Sequence, residues 1–193
     1  MLHLTGDLAA DTLLTDDPFA LLLGMLLDQQ IAMETAFAGP AKVKDRLGTL
    51  DPSAIAGHDA DDFVEVFRVT PAVHRYPGSM AARTQALAAV IVEEWDGDAS
   101  ALWTRGNPDG AELLARLKKL PGFGEQKAKI FLAVLGKRLG VGANGWREAS
   151  APYGEEGSFR SVADIVDPES LSRVRETKRA AKTAAKKPPA ARS

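Results

Sequence analysis

The chain has no cysteine. That absence excludes disulfides, thiolate zinc sites, cysteine nucleophiles and cysteine-ligated iron–sulfur clusters. No apolar run approaches the ~20 residues that cross a bilayer, and the first residues carry no basic-then-apolar leader pattern. The expectation is a cytoplasmic protein with no membrane partner. Histidine is scarce. His3, His58 and His74 have no partner at helical ligand spacing, so none points to zinc. Asp59, Asp61 and Asp62 cluster, but without the glycine and terminal glutamate of a calcium loop they read as the acidic first turn of a helix. No metal and no cofactor is expected. Strand patterns are missing as well: Thr49-Leu50 and Arg68 to Thr70 are too short to build a sheet, and no repeat appears at solenoid periods.

What is present is a chain of 193 residues, 45% hydrophobic and 26% charged, enough for one globular domain with a sizeable core. Its formal net charge of -2 conceals an asymmetry, because the residues from Ser172 onward carry +7 and residues 1–171 carry -9. The predicted organisation is a helical domain over 1–175 and an Ala-, Lys- and Pro-rich basic tail over 176–193. The tail has too few large apolar residues to pack and is expected to be disordered.

Asp16-Asp17-Pro18 is a helix start, an acidic cap followed by proline at the first helical position. The helix it opens, with Phe19, Leu21, Leu22, Leu23, Met25, Leu26 and Leu27, is apolar nearly all round and is expected to be the central buried helix. It ends at Asp28-Gln29-Gln30-Ile31-Ala32, where two neutral amides interrupt the apolar run before a predicted helix from Met33 to Leu47. Buried amides cost stability unless satisfied, so the pair needs a reason; as a plain polar connection it would have none beyond joining two helices. Further helices are predicted from Asp51-Pro52, from Asp59 to Phe67, and from Ser79 to Trp95, the last preceded by Arg75-Tyr76-Pro77-Gly78. Asn107-Pro108-Asp109 caps the next one, whose apolar face is Leu113, Leu114, Leu117 and Leu120. The class is all-α.

The most informative stretch is Leu120-Pro121-Gly122-Phe123-Gly124-Glu125-Gln126-Lys127-Ala128-Lys129, a Pro-Gly-x-Gly turn between two helices. Glycine takes positive φ without steric cost and leaves no side chain over the peptide amides, while the unpaired N–H groups and dipole of the following helix favour an anion. Seven Lys or Arg residues against two acids lie between positions 112 and 138. Alone, such a turn is a common way to join helices. The hydrophobic residue before it, small Ala128 after it and the basic flanks make it resemble the helix-hairpin-helix motif over about 109–139. With the apolar helix and Gln29-Gln30, the chain resembles the HhH-GPD superfamily of DNA glycosylases, in a bacterial branch without the iron–sulfur cluster, over roughly residues 16–170.

The resemblance implies a two-lobed helical fold, duplex DNA as partner, a monomer located with the nucleoid, and base excision repair as the setting. It implies phosphate contacts at Gly122, Phe123, Gly124, Gln126, Lys127 and Lys129, and gap filling by Gln29 or Gln30 where a base leaves the stack. Tyr76 would stand near the cleft. Two departures follow. The family's catalytic aspartate lies about twenty residues after the second hairpin glycine, where this chain has Asn144, which lacks the charge and basicity for the reaction; Glu148, Glu155 and Asp164 are the replacements nearby. The lysine that some members use for strand cleavage lies at Gln126, and Lys127 is turned by roughly 100° on a helix, so no lysine-dependent lyase chemistry is expected. The expected activity is therefore binding and probing or flipping of a damaged base, with hydrolysis of its N-glycosidic bond if an acid is supplied, and otherwise lesion sensing without catalysis.

Overall fold

The computed structural model describes residues 1–186, and these are helical with no strand among them. The first helix, α1 (Leu8–Asp16), precedes the elements expected from the sequence, and α2 (Pro18–Leu27) follows after a single residue. Asp17 caps α2 as expected: its carboxylate accepts from the N–H groups of Phe19 (2.9 Å) and Ala20 (3.0 Å), with Pro18 at the first helical position. Every residue from Phe19 to Leu27 is buried, and α2 packs against α1, α3 (Met33–Phe37), α4 (Gly39–Leu47) and α7 (Pro77–Trp95).

The single helix predicted over Met33–Leu47 is two. Pro40 has no N–H to continue the ladder, and a Cβ on Gly39 would stand 2.4 Å from Leu27 Cδ1, so the break lets the backbone lie directly on α2. Two short helices, α5 (Pro52–Ala56) and α6 (Ala60–Arg68), pack on α7 through Ile55, Phe63 and Phe67. The aspartate cluster of α6 is a cap: Asp59 accepts from the N–H groups of Asp61 (3.0 Å) and Asp62 (3.1 Å). After α8 (Ala101–Thr104), the helices α9 (Gly110–Lys118) and α10 (Glu125–Arg138) form the hairpin, with α9 capped by Asp109. Arg116 of α9 stacks over Trp95 at 5.2 Å and donates to the carbonyls of Leu102 (3.1 Å) and Arg105 (2.9 Å), fastening the hairpin to the end of α7.

Beyond α10 the chain makes α11 (Trp146–Ala149), a 3-10 turn over Val162–Asp164 and α12 (Pro168–Lys186). The Trp146 ring lies against α10 where a Cβ on Gly136 would come within 2.5 Å of it. Over residues 158–165 the only helical element is that 3-10 turn. The carboxylate of Asp164 accepts from the N–H groups of Arg160 (2.8 Å) and Ser161 (3.1 Å) and so binds the backbone locally in a way that competes with an α-helix.

Residues 176–186, part of the segment expected to be disordered, continue α12. Scarcity of large apolar residues prevents packing, and beyond Val174 the described side chains are exposed, yet Ala, Lys, Arg and Glu are strong helix formers. The rest of the tail, 187–193, lies outside the described residues. Among the described residues no helix is long and apolar enough to cross a membrane.

Candidate functional site

Two helix ends meet at one point. Gly122 sits in the hairpin turn at a φ of 78°, a left-handed conformation that favours glycine, and a Cβ there would stand 2.4 Å from Leu26 Cδ1. The turn is therefore seated directly on the last turn of α2. Lys127, on the first turn of α10, reaches across the junction and donates from Nζ to the carbonyls of Met25 (2.6 Å) and Leu26 (3.0 Å).

The C-terminal end of α2 is fully answered. The Gly24 carbonyl accepts from Asp28 N–H (3.1 Å) and that of Leu27 from Gln29 N–H (2.7 Å). Met25 and Leu26 take Lys127, and Leu26 also takes the side-chain amide of Gln29 at 2.8 Å. A lysine beside a helix C-terminus is also electrostatically favourable. Burial still draws the Lys127 amine down to about 8, partly offset by the nearby Asp28 carboxylate.

The two predicted amides have different places. Gln29 is half-buried and fixed: besides its bond to Leu26, its side-chain oxygen accepts from Arg83 (2.9 Å) and its carbonyl lies 3.0 Å from His74 Nε2. Since His74 Nδ1 accepts from Tyr76 N–H (3.1 Å), Nε2 carries the ring proton and donates to Gln29. Burial holds the His74 imidazole below its ordinary value. Gln30 is exposed and its backbone is left-handed at a φ of 58°. Tyr76, 42% exposed with the Arg75 guanidinium over its ring at 4.8 Å, stands on the same loop as His74.

At α10 the situation is opposite. The Phe123 N–H is taken by the Leu120 carbonyl (3.1 Å) and its ring is buried, whereas the amides of Gly122, Gly124, Glu125 and Gln126 have no protein acceptor among the described residues. Gly124 has a φ of -70°, and a Cβ there would meet no atom within 4 Å, so the space before these amides is open. The basic flank is smaller than its composition indicates. Arg116 and Lys127 are used as above, Lys137 pairs with Asp164 at 2.6 Å, and Arg138 donates to the Met1 carbonyl at 3.0 Å. Lys118, Lys119 and Lys129 remain at the surface or partly so, and Glu125 sits between two of them, 3.0 Å from Lys129 and 3.6 Å from Lys118. Those lysines hold the exposed Glu125 carboxyl below its ordinary value, the Lys129 hydrogen bond first. The Gln126 side chain donates to Tyr153 Oη at 2.9 Å.

Asn144 lies at the other end of the hairpin. Its carbonyl accepts from Gly110 N–H at 2.7 Å, at the start of α9, and α10 alone spans roughly 20 Å at 1.5 Å per residue. Glu148 is exposed on α11, Glu155 is exposed and faces Arg160 at 3.7 Å, and Asp164 is buried in its pair with Lys137 and also accepts from Ser158 at 3.1 Å. None of the three lines the cavity beside the Gln29-Gln30 loop; Asp28 and Glu34 do. Glu34 pairs with Arg175 of α12. Asp28 has no side-chain hydrogen bond or ion pair among the described residues, and burial raises its carboxyl above the ordinary value, against the pull of Lys178 and Lys127. Sequence reading passed over Asp28, although an acid ending an apolar helix opposes the helix dipole and is itself a signal.

No family model, curated protein or solved structure matches this chain. The residues themselves carry the functional reading.

Proposed function

We propose that the chain binds duplex DNA through the open amides of the α9–α10 turn, as an HhH-GPD-type protein that probes or flips a damaged base. The observation that carries this reading is the pairing of helix ends. The α10 amides have no protein acceptor among the described residues at a glycine turn, and the same turn is fixed by Gly122 and Lys127 to the end of α2, next to exposed Gln30. Phosphate suits such an end because N–H donors and dipole act together. Lys118, Lys119 and Lys129 add charge, and Gln30 is the residue free to enter the stack, since Gln29 is held as a cap.

Hydrolysis of the N-glycosidic bond and lesion sensing without turnover are the two forms of this function. The position of Asn144, on the far end of the hairpin, favours sensing unless another carboxylate serves. Fluorescence anisotropy with a short labelled duplex, repeated over a salt series, tests the binding: affinity should fall steeply with salt, as phosphate contacts require. An affinity absent at low salt would refute it. Oligonucleotides carrying uracil, alkylated, oxidised and deaminated bases then separate the forms, with turnover on any of them establishing an enzyme.

A further inference from the structure

The helix α12 starts on the domain and then runs past it. Its first turn is fastened by Asp167, whose carboxylate accepts from the Ser170 N–H (2.7 Å), while Ser170 Oγ accepts from the N–H groups of Val166 (2.8 Å) and Asp167 (2.9 Å). Val174 is buried, Leu171 packs against the core, and Arg175 pairs with Glu34 of α3. At 3.6 residues per turn, Leu171, Val174, Arg175, Lys178 and Arg179 share one side of the helix, and the register continues with lysines at 182 and 186. The docked side of α12 thus changes from apolar to basic as it leaves the core.

This basic side stays next to the loop that carries Gln30. Lys178 and Arg179 line a cavity together with Asp28, Ile31 and Ala32 of the α2–α3 connection. Lys178 is also among the cations that pull the Asp28 carboxyl down against its burial. Both cations are exposed, and neither has an ion-pair partner among the described residues. The α9–α10 turn sits at the other end of the same connection, on Met25 and Leu26. Gln30 therefore has open amides on its α2 side and a basic helix on its α3 side.

A helix face that is merely solvated is served by charges of either sign. Here the signs are sorted: residues 1–171 carry -9, while Ser172 onward has eight basic residues and one acid. A duplex approaching Gln30 meets an acidic domain, and at the hairpin Glu125 takes part of the charge of Lys118 and Lys129. Phosphate contacts supply most of the sequence-independent affinity for DNA, so α12 holds the positive charge that the hairpin lacks. We propose that the basic side of α12 is a second phosphate-binding surface, which takes the duplex backbone on the side of Gln30 opposite the α9–α10 turn. The assignment rests on the DNA-binding reading above and adds a second grip to it. From Arg175 to the end of α12 the helix rises roughly 17 Å, about five base-pair steps. Holding the duplex on both sides of Gln30 resists its re-closing, which matters because opening the stack costs a few kcal/mol.

The test compares the full-length wild type with the double variant Lys178→Gln, Arg179→Gln, reading duplex binding by anisotropy over a salt series. The salt slope should fall by about 1.8, roughly 0.9 for each cation, and affinity at low salt by about tenfold. Circular dichroism and melting should not change, because both side chains are exposed, and the charge-conserving pair Lys178→Arg, Arg179→Lys should bind like the wild type. Single methylphosphonates, each removing one phosphate charge, are then placed along both strands. The wild type should be sensitive at two separate groups of positions, one lost in the double variant and the other in Gly124→Val. An unchanged salt slope, as expected if α12 instead serves an acidic protein, overturns the proposal while leaving hairpin binding intact. A reduced slope with no group of positions lost also overturns it, since the cations then act only as a diffuse field. Failure of the wild type to bind any duplex refutes the DNA reading itself, and the second surface falls with it.

Discussion

The end of α2 and the start of α10 touch each other, yet one is closed and the other open. At α2 the last carbonyls are met by Asp28, Gln29 and Lys127. At α10 the first amides face free space before Gly124. A helix end whose polar groups are answered by its own chain is architecture, because leaving them unpaired in the interior is costly. A helix end left open to solvent beside glycine is available to a ligand. The contrast divides neighbouring residues of the same junction: Gly122 and Lys127 hold it together, while Gly124 and the amides after it are offered outward.

Four substitutions break or sharpen this contrast. Gly122→Ala should have the largest effect, because it combines a positive φ of 78° with a Cβ 2.4 Å from Leu26 Cδ1. Left-handed strain and overpacking together predict a loss of about 3 kcal/mol, read from chemical denaturation. Lys127→Met comes next, since it leaves the Met25 carbonyl without its donor, and should cost about 1–2 kcal/mol at neutral pH.

The pH dependence of that variant is a separate check. With Lys127 drawn down to about 8, the folded chain holds fewer protons than the unfolded chain between about 8 and the ordinary lysine value. The contribution is fully unfavourable below pH 8 and is relieved as pH rises through that window. Wild type should therefore gain stability there relative to Lys127→Met, in thermal melts over the same pH series.

Gly124→Val should act on binding and spare the fold. Its φ of -70° suits any residue and its surroundings are empty, so stability should change by less than about 0.5 kcal/mol. On the proposed reading, duplex affinity should fall about tenfold and the salt slope by about one, because the valine would stand where a phosphate approaches these amides. The smallest effect is expected of Glu125→Gln. Freeing Lys118 and Lys129 from the carboxylate should tighten duplex binding by about threefold at low salt, and the gain should disappear as salt screens the charges.

Much of the fold was legible in the sequence because its cues are local. Asp17-Pro18 announced α2, Asp109 announced α9, and the Pro-Gly-x-Gly turn placed α10. The site was legible only in outline. Gln29 and Gln30 are identical and adjacent, so no local rule separates the one that caps α2 from the one that is exposed. The seven basic residues around the hairpin looked equivalent, while Arg116, Lys127, Lys137 and Arg138 each serve a distant segment. Over residues 176–186 the chain continues α12, because helix formation there follows from backbone propensity whereas apolar content governs packing.

Chain-local chemistry thus settled the all-helical class, the buried character of α2 and the glycine turn, since caps, periodicity and allowed φ values act over a few residues. Tertiary structure alone decided that the turn rests on the end of α2, that Lys127 is a cap, and that Asp28 lines a cavity without a side-chain partner among the described residues. The reason is distance along the chain. Lys127 and Met25 are 102 residues apart, and whether such groups meet depends on how every helix between them packs.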